Sequence, residues 1–547
     1  MAKPTSTTTC SIRDTARGAN AARRLAGLLV ACATVALGAG CRPASVPAQN
    51  QPVVRLERPP RLKPDYTDLV IPPNIAPLNF VIQETGRVYR VSLQGEGGEP
   101  IEITTRQAAV SLPLKPWRQL LAANRSGAIR LQVRAQDRDR RWTQFATITN
   151  RVAAEAVDPV LIYRKIYASH NTWSVMGLYQ RDLETFAERP LLENHRFGYQ
   201  CCHCHTLRQN NPNAATVIIR SRLHDNRLLV VSDGVAESFR GTVGFNAWHP
   251  SGRLMAVAIS KPRLLLHTAR NDMREIAELS GWLGWLRPGD TDIHPIPTLV
   301  DTNRLLAFPV WSPDGRHLYY CSAPNPWTDM TRVTAESPST IKYDLMRVGY
   351  DVETDQWGRP EPVLLVRATG FSVAQPRISP DGRWLFFCAV AHGCWPTYDP
   401  ASDIYGVDLH SGAAAGNFVW RKLELNSDQC ESWLSWSANS RWVVFSSKRS
   451  SPLFNRPYLA HVSADGRCSK PFVVPRADPA AYDFELRTYT IPTLATGPIP
   501  VPQRALAAAI RQPNRPSLLI PGEQAAGKPT AATGRPAKTG ERDWPTQ

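Results

Sequence analysis

Between residues 64 and 155 apolar and polar positions alternate, as in Ala128-Ile129-Arg130-Leu131-Gln132-Val133 and Trp142-Thr143-Gln144-Phe145-Ala146-Thr147-Ile148. This period of two belongs to strands buried on one face, and the polar run Asp137-Arg138-Asp139-Arg140 marks a turn between them. The pattern predicts a β-sandwich-like domain over 64–155. Pro159-Val160-Leu161-Ile162-Tyr163-Arg164 then reads as a strand that opens a connecting segment, 156–213.

Further along, one pattern returns four times. Trp248-His249-Pro250-Ser251-Gly252-Arg253, Trp311-Ser312-Pro313-Asp314-Gly315-Arg316, Ile378-Ser379-Pro380-Asp381-Gly382-Arg383 and Trp436-Ser437-Ala438-Asn439-Ser440-Arg441 each follow an apolar strand end and lead into a new apolar run. Pro presets φ, Asp or Ser bonds the local backbone and Gly permits a left-handed exit, so each is a hairpin turn between inner strands of a propeller blade. The aromatic or Ile before the turn is placed to pack between neighbouring blades. Spacings of 63, 67 and 58 residues exceed the roughly 40–50 residues of ordinary blades, which predicts insertions at 276–300 and 324–342. Strand pairs at 216–220 and 227–231 precede the first hairpin, and outer strands are visible at 343–348 and 403–408. The fold class is all-β: the sandwich-like domain, then a β-propeller over 214–492 with six blades expected and five to seven allowed. Residues 493–547, rich in Pro, Ala and Gly, read as a disordered tail.

The composition agrees. The 547 residues hold 47 Pro, 33 Gly and 16 Trp but only 6 Met, favouring turns and aromatic-rich strands. The net charge of +17 draws +4 from residues 1–40 and +4 from residues 501–547. The remaining +9 is scattered, with no basic stripe for nucleic acid.

The first forty residues have the form of an export signal. A basic region ends at Arg23-Arg24, and sixteen apolar or small residues, Leu25 to Gly40, follow. That run is too short to span a bilayer. It ends Leu37-Gly38-Ala39-Gly40-Cys41, similar to a lipoprotein cleavage site, with Cys41 as the lipidated residue and 42–63 as a tether. The large aliphatic expected three places before the Cys stands one position early, at Leu37. The expected location is therefore the periplasm or cell envelope, on a lipid anchor. Disulfides are permitted there, and Cys321, Cys388, Cys394, Cys430 and Cys468 with one spare in the 201–204 cluster could pair or remain buried thiols.

That cluster, Cys201-Cys202-His203-Cys204-His205, contains C-x-x-C-H, the attachment signature of c-type haem. Two thiols three residues apart reach one porphyrin edge, and the adjacent imidazole addresses the iron. The expected ligands are Cys201, Cys204 and proximal His205, with Met176 as sixth-ligand candidate beside His170, His195 or an open position. His203 is expected to face solvent or a propionate. A closed zinc site lacks a second ligand pair, a redox dithiol lacks a βαβ setting, and a disulfide involving Cys202 is compatible with haem.

The Ser-Pro-Asp-Gly-Arg hairpins resemble the TolB-type (WD40-like) β-propeller repeat. With Ile71-Pro72-Pro73-Asn74-Ile75-Ala76-Pro77-Leu78-Asn79-Phe80, Met176-Gly177-Leu178-Tyr179-Gln180-Arg181 and Tyr482-Asp483-Phe484, residues 64–492 resemble exported TolB-like proteins that carry one C-x-x-C-H before the propeller. The fourth hairpin departs at Ala438-Asn439-Ser440. The resemblance implies a cell-envelope propeller with haem c, acting in electron transfer or redox sensing with a protein partner. The alternative is a haem-independent scaffold binding protein or glycan. No G-x-S-x-G or H-E-x-x-H hydrolase motif is found.

Overall fold

The computed structural model describes residues 53–168, 174–266, 274–327, 333–334, 337–412, 418–513 and 515–519, all within the compact unit Pro52–Gln547. Cys41, the expected signal and His170 lie outside the described residues.

The chain is mostly β. Near the N-terminus, Val88–Gly95, Ala128–Gln136 and Ile148–Val152 are the main strands of a seven-stranded sheet, beside a smaller sheet of Leu62–Lys63, Phe80–Ile82 and Ala109–Val110. The alternation along Ala128–Gln136 appears as alternating burial. A helix, Leu114–Ala123, starts after Pro113 and inserts Trp117, Leu120 and Leu121 into this core. Its Trp117 Nε1–H donates to the Ile75 carbonyl at 2.9 Å.

Antiparallel sheets follow in chain order, in the arrangement of a propeller. The first joins Val160–Tyr167, Gly177–Asp182 and Glu188–Glu193 to the late strand Arg487–Ala495. The second runs Cys201–Arg208, Asn211–Arg220, Arg227–Ser232, Val235–Arg240. An eight-stranded sheet contains two four-strand paths, led by Asn246–Trp248 and Arg304–Trp311, that touch through the single pair Gly281 and Leu305. Two more sheets begin at Ser372–Ile378 and Glu431–Trp436. The leading strands pack against one another in succession, and Arg487–Ala495 lies beside both Glu431–Trp436 and Cys201–Arg208, so the series closes on itself.

The four hairpins have the turn that their residues demand. Gly252, Gly315 and Gly382 have φ of 75°, 75° and 77°, and Ser440 takes the same left-handed conformation at 61°. In the last three turns the first Ser accepts from the backbone N–H five residues on, as Trp384 N–H donates to Ser379 Oγ at 2.9 Å. The aromatics before the turns bridge sheets: Trp311 Nε1–H donates to the Ala247 carbonyl and Trp436 Nε1–H to the Arg377 carbonyl.

Two expectations differ from the structure. The segment 156–213 holds sheet strands of its own, Val160–Tyr167, Gly177–Asp182, Glu188–Glu193 and Cys201–Arg208, and the first of them pairs with the distant Arg487–Ala495. The region read as a tail begins inside that strand and continues into a helix, Gln503–Arg511, which buries Leu506, Ala507, Ala509 and Ile510. That helix shares an apolar cluster with Met176, Phe197, Cys201 and Cys202. All eight described cysteines are buried free thiols.

Candidate functional site: the cysteine strand and its cavities

The C-x-x-C-H residues stand on Cys201–Arg208, the strand that leads the second sheet. Its pairing with Asn211–Arg220 slips between Cys202 and His205, so His203 and Cys204 together oppose one residue. The same two-against-one bulge recurs on other leading strands, at Phe308-Pro309, Gln375-Pro376, Trp433-Leu434 and Ile491-Pro492. Phe308, Gln375, Trp433 and Ile491 have φ of 51°, 50°, 54° and 55°, a conformation costing an L-residue roughly 1–2 kcal/mol. A bulge bends its strand and re-aims a side chain. Here the re-aimed groups meet: His203 lies 6.3 Å from both Phe245 and Trp395 by ring centroid, and Phe245 lies 4.1 Å from Phe308 and 5.9 Å from Trp433. His203, expected to face solvent or a propionate, is half-buried in this aromatic cluster.

The bulge divides the motif between two cavities. Cys201 and His203 line a cavity of about 670 Å³ between the second sheet and the long hairpin Met255–Leu266/Arg274–Leu286, against Trp395. Cys204 and His205 line a different cavity of about 190 Å³, with Trp248, Trp311, Arg377 and Trp436. Cys201 and Cys202 belong to one apolar cluster and Cys204 to another. Met176, 1% exposed, packs with Cys201 and Cys202, exchanges backbone and side-chain hydrogen bonds with Asn194, and is not among the residues lining the His205 cavity. His195 stands near the surface, 3.9 Å from Glu193.

A covalent haem needs both thiols at one porphyrin edge with the imidazole beneath it. A strand advances about 3.3 Å per residue, so three steps hold the two cysteines well apart. The residues as folded do not fit a haem on Cys201, Cys204 and His205. Burial also pushes the thiols up, to about 11 for Cys201 and about 12 for Cys204, against the opposing pull of Arg164 and Arg220. Burial thus favours the protonated thiols in the folded chain. His205 is 4% exposed, neither ring nitrogen has a hydrogen-bond partner, and burial with the charges of Arg164 and Arg377 pushes it down to about 3.

The wide cavity has a chemistry that the motif did not announce. Its walls include Tyr199, Phe245, Leu264, Ile276 and Trp395. Among them stand Arg220, whose Nη2 donates to the Val243 carbonyl at 2.7 Å while Nη1 has no partner, and Glu278, 5% exposed. Glu278 Oε1 accepts from Trp395 Nε1–H at 3.2 Å, and Oε2 has no partner. Burial pushes Glu278 up to about 7, opposed by hydrogen bonds from Ser260 and Trp395 and by the charge of Arg220. Sequence reading missed both residues, which lie 58 positions apart on different sheets. The available signal was a glutamate inside the strand Arg274–Leu286, where apolar residues dominate.

No family model matches this chain, and no curated protein matches it. Solved structures do show a likeness. An oligogalacturonate lyase from Vibrio parahaemolyticus is 12% identical over 62% of this chain and 85% of its own, with a TM-score of 0.32. A putative 6-phosphogluconolactonase from Bacteroides uniformis is 10% identical over 71% and 97%, also at 0.32. A prolyl endopeptidase is 12% identical over 58% of this chain and 42% of its own, again at 0.32.

Proposed function

We propose that this chain is a haem-independent binding propeller of the cell envelope, with six TolB-like blades, whose ligand site is the wide cavity between the second sheet and the Met255–Leu266/Arg274–Leu286 hairpin. The six-blade reading takes the eight-stranded sheet as two blades and counts six leading strands in the closed series. The observation that carries the binding function is the cavity itself. Its volume of about 670 Å³ falls among small-molecule sites, which are concave, mostly apolar and equipped with a few convergent polar groups. The export signal and Cys41 supply the envelope location and lipid anchor in this reading. The test is saturable fluorescence enhancement of an apolar dye, 1-anilinonaphthalene-8-sulfonate, by the full chain. One site per chain, lost in Ile276→Trp, is the expected result, and no saturable binding overturns the reading.

A second reading, an electron-transfer or redox-sensing protein with haem c attached before this strand forms, is favoured by one observation: the His205 imidazole is buried with both nitrogens unpaired. A pyridine haemochrome spectrum after expression with cytochrome c maturation tests it. A c-type band that disappears in Cys201→Ser/Cys204→Ser establishes the second reading and removes the first.

A further inference from the structure

The narrower cavity, of about 190 Å³, is separate from the wide one and has its own chemistry. Its walls take residues from each of Cys201–Arg208, Asn246–Trp248, Arg304–Trp311, Ser372–Ile378, Glu431–Trp436 and Arg487–Ala495. These strands pack in a closed series, so the cavity lies on their common axis. On five of them the residue directly after the bulge faces it: His205, Val310, Arg377, Ser435 and Thr493 hold one register position and all line the cavity. The aromatic cluster stands at one end, with Phe245, Phe308 and Trp433, and the hairpin residues Pro250, Pro313 and Pro380 stand at the other. That second end is the entrance, since the three prolines are half-buried and Gln209 beside them is exposed.

Among the described residues that line this cavity, Arg377 is the one Lys or Arg, and no Asp or Glu is present. Arg377 is half-buried. Its Nη1–H donates to the Pro376 carbonyl at 2.8 Å, and its nitrogens are not sealed off without a partner, as both ring nitrogens of His205 and the indole nitrogen of Trp248 are. Burial pushes the guanidinium down, and the groups that push it back are buried thiols, Cys388 foremost. A protonated thiol does not neutralise a cation. Elsewhere the fold answers such a group itself, as half-buried Arg449 reaches the Glu431 carboxylate at 3.0 Å. A charge drawn out of water is costly until an opposite charge meets it, and at Arg377 the chain supplies none.

We propose that this axial cavity is a second binding site, for a small organic monoanion: a carboxylate with an apolar body about the size of a benzene ring, its charge on Arg377. Size and walls set the class. An apolar cavity of about 150 Å³ takes one benzene, so the volume here holds a ring or a short branched chain with one carboxylate. An inorganic anion answers Arg377 but sets its hydration shell against tryptophan and proline. A neutral hydrocarbon leaves the cation unanswered.

Calorimetric titration of the full chain with benzoate and 3-methylbutanoate tests this, with benzamide as the uncharged match of benzoate and inorganic phosphate as the anion without an apolar body. The expected result is one carboxylate per chain, with benzamide and phosphate each weaker by roughly tenfold or more. Arg377→Gln brings benzoate down to the level of benzamide and leaves benzamide unchanged. Val310→Phe, which fills the cavity from the neighbouring strand and leaves the cation in place, removes both. The comparison of probes on the wild-type chain decides the matter even where a variant fails to fold. Equal affinity for benzoate and benzamide, phosphate binding as tightly as benzoate, or no binding of either carboxylate overturns the proposal. The wide cavity is read separately by its dye: saturating benzoate leaves bound 1-anilinonaphthalene-8-sulfonate in place, displacement of the dye overturns the second site, and a chain that takes benzoate but no dye keeps this site while the wide-cavity reading fails.

Discussion

Glu188, half-buried, and Glu278, buried, are both carboxylates on sheet strands, and the fold treats them oppositely. Glu188, on the outer strand of the first sheet, is surrounded by groups that answer its charge: Lys165 Nζ and Tyr163 OH bond to it, and Arg476 Nη1 donates at 3.0 Å. Lys165 is itself 2% exposed and lies 4.4 Å from the centroid of the Tyr179 ring. Burial alone would push Glu188 up, but the charge and hydrogen bond of Lys165, with Tyr163 and Arg476, outweigh it and hold the acid down at about 2. Glu278, more deeply buried, has one indole and one hydroxyl against it and no cation in contact, and rises to about 7. Burial pushes both acids up, more strongly at Glu278, and only at Glu188 do charged partners outweigh it. A charge fully answered by its own chain stays ionised as part of the fold, and one left half-answered is pushed toward neutrality.

The largest expected effect breaks the answered side. Lys165→Met leaves Glu188 buried with only Arg476 and Tyr163, and removing one partner of a buried ion pair costs about 3 kcal/mol or more. Urea unfolding should show this loss at neutral pH, and a loss below about 1 kcal/mol would mean that the cluster is not holding the first sheet.

The next effect lies on the other side. Because Glu278 is raised from its usual 4.5 to about 7 in the folded chain, the folded state retains a proton that the unfolded state has released between those values. Stability therefore falls as pH rises from 4.5 to 7 and then levels, by at most about 3 kcal/mol. Glu188 has the opposite sign: depressed to about 2, it contributes stability above 4.5 that disappears as pH falls toward 2. Glu278→Gln should be more stable than wild type at pH 8 and equal to it at pH 4, with the acid limb unchanged. Parallel stability curves for the two proteins would show that Glu278 is not the group titrating.

How far this contrast was legible beforehand depends on the distance between partners. The hairpins at Trp248, Trp311, Ile378 and Trp436 were legible because a turn is decided by four adjacent residues. Even the divergent fourth survives, since Ser440 takes the left-handed place of glycine and its hydroxyl also accepts from Asp381 N–H at 2.9 Å. The first sheet was not legible, because Arg164 meets Thr490 across 326 residues and non-local pairing leaves no local pattern. The C-x-x-C-H motif was visible, but the bulge that splits it was not. A hint stood in the chain: Phe308-Pro309, Gln375-Pro376 and Ile491-Pro492 place proline second in the equivalent bulges, where a missing N–H is tolerated. Arg220 and Glu278 were invisible as a pair, since only the stacking of two sheets brings them to one cavity.

The smallest effect isolates the indole bond, one of the two that half-answer Glu278. Trp395→Phe keeps an aromatic ring beside Phe245 and Trp433 but removes the Nε1–H that reaches Glu278 Oε1 at 3.2 Å. A lost hydrogen bond to a buried polar group costs about 1 kcal/mol, and losing a donor that favours the ionised form moves Glu278 further up, which deepens the pH 4.5–7 slope. The packing lost with the indole is a separate cost, so the substitution is measured again in a Glu278→Leu background, where no oxygen remains to accept. If the indole acts through its hydrogen bond, Trp395→Phe costs less in that background and leaves the pH slope flat. An equal cost in both would show that Trp395 serves the aromatic cluster alone, and that Glu278 stands even less answered than its geometry suggests.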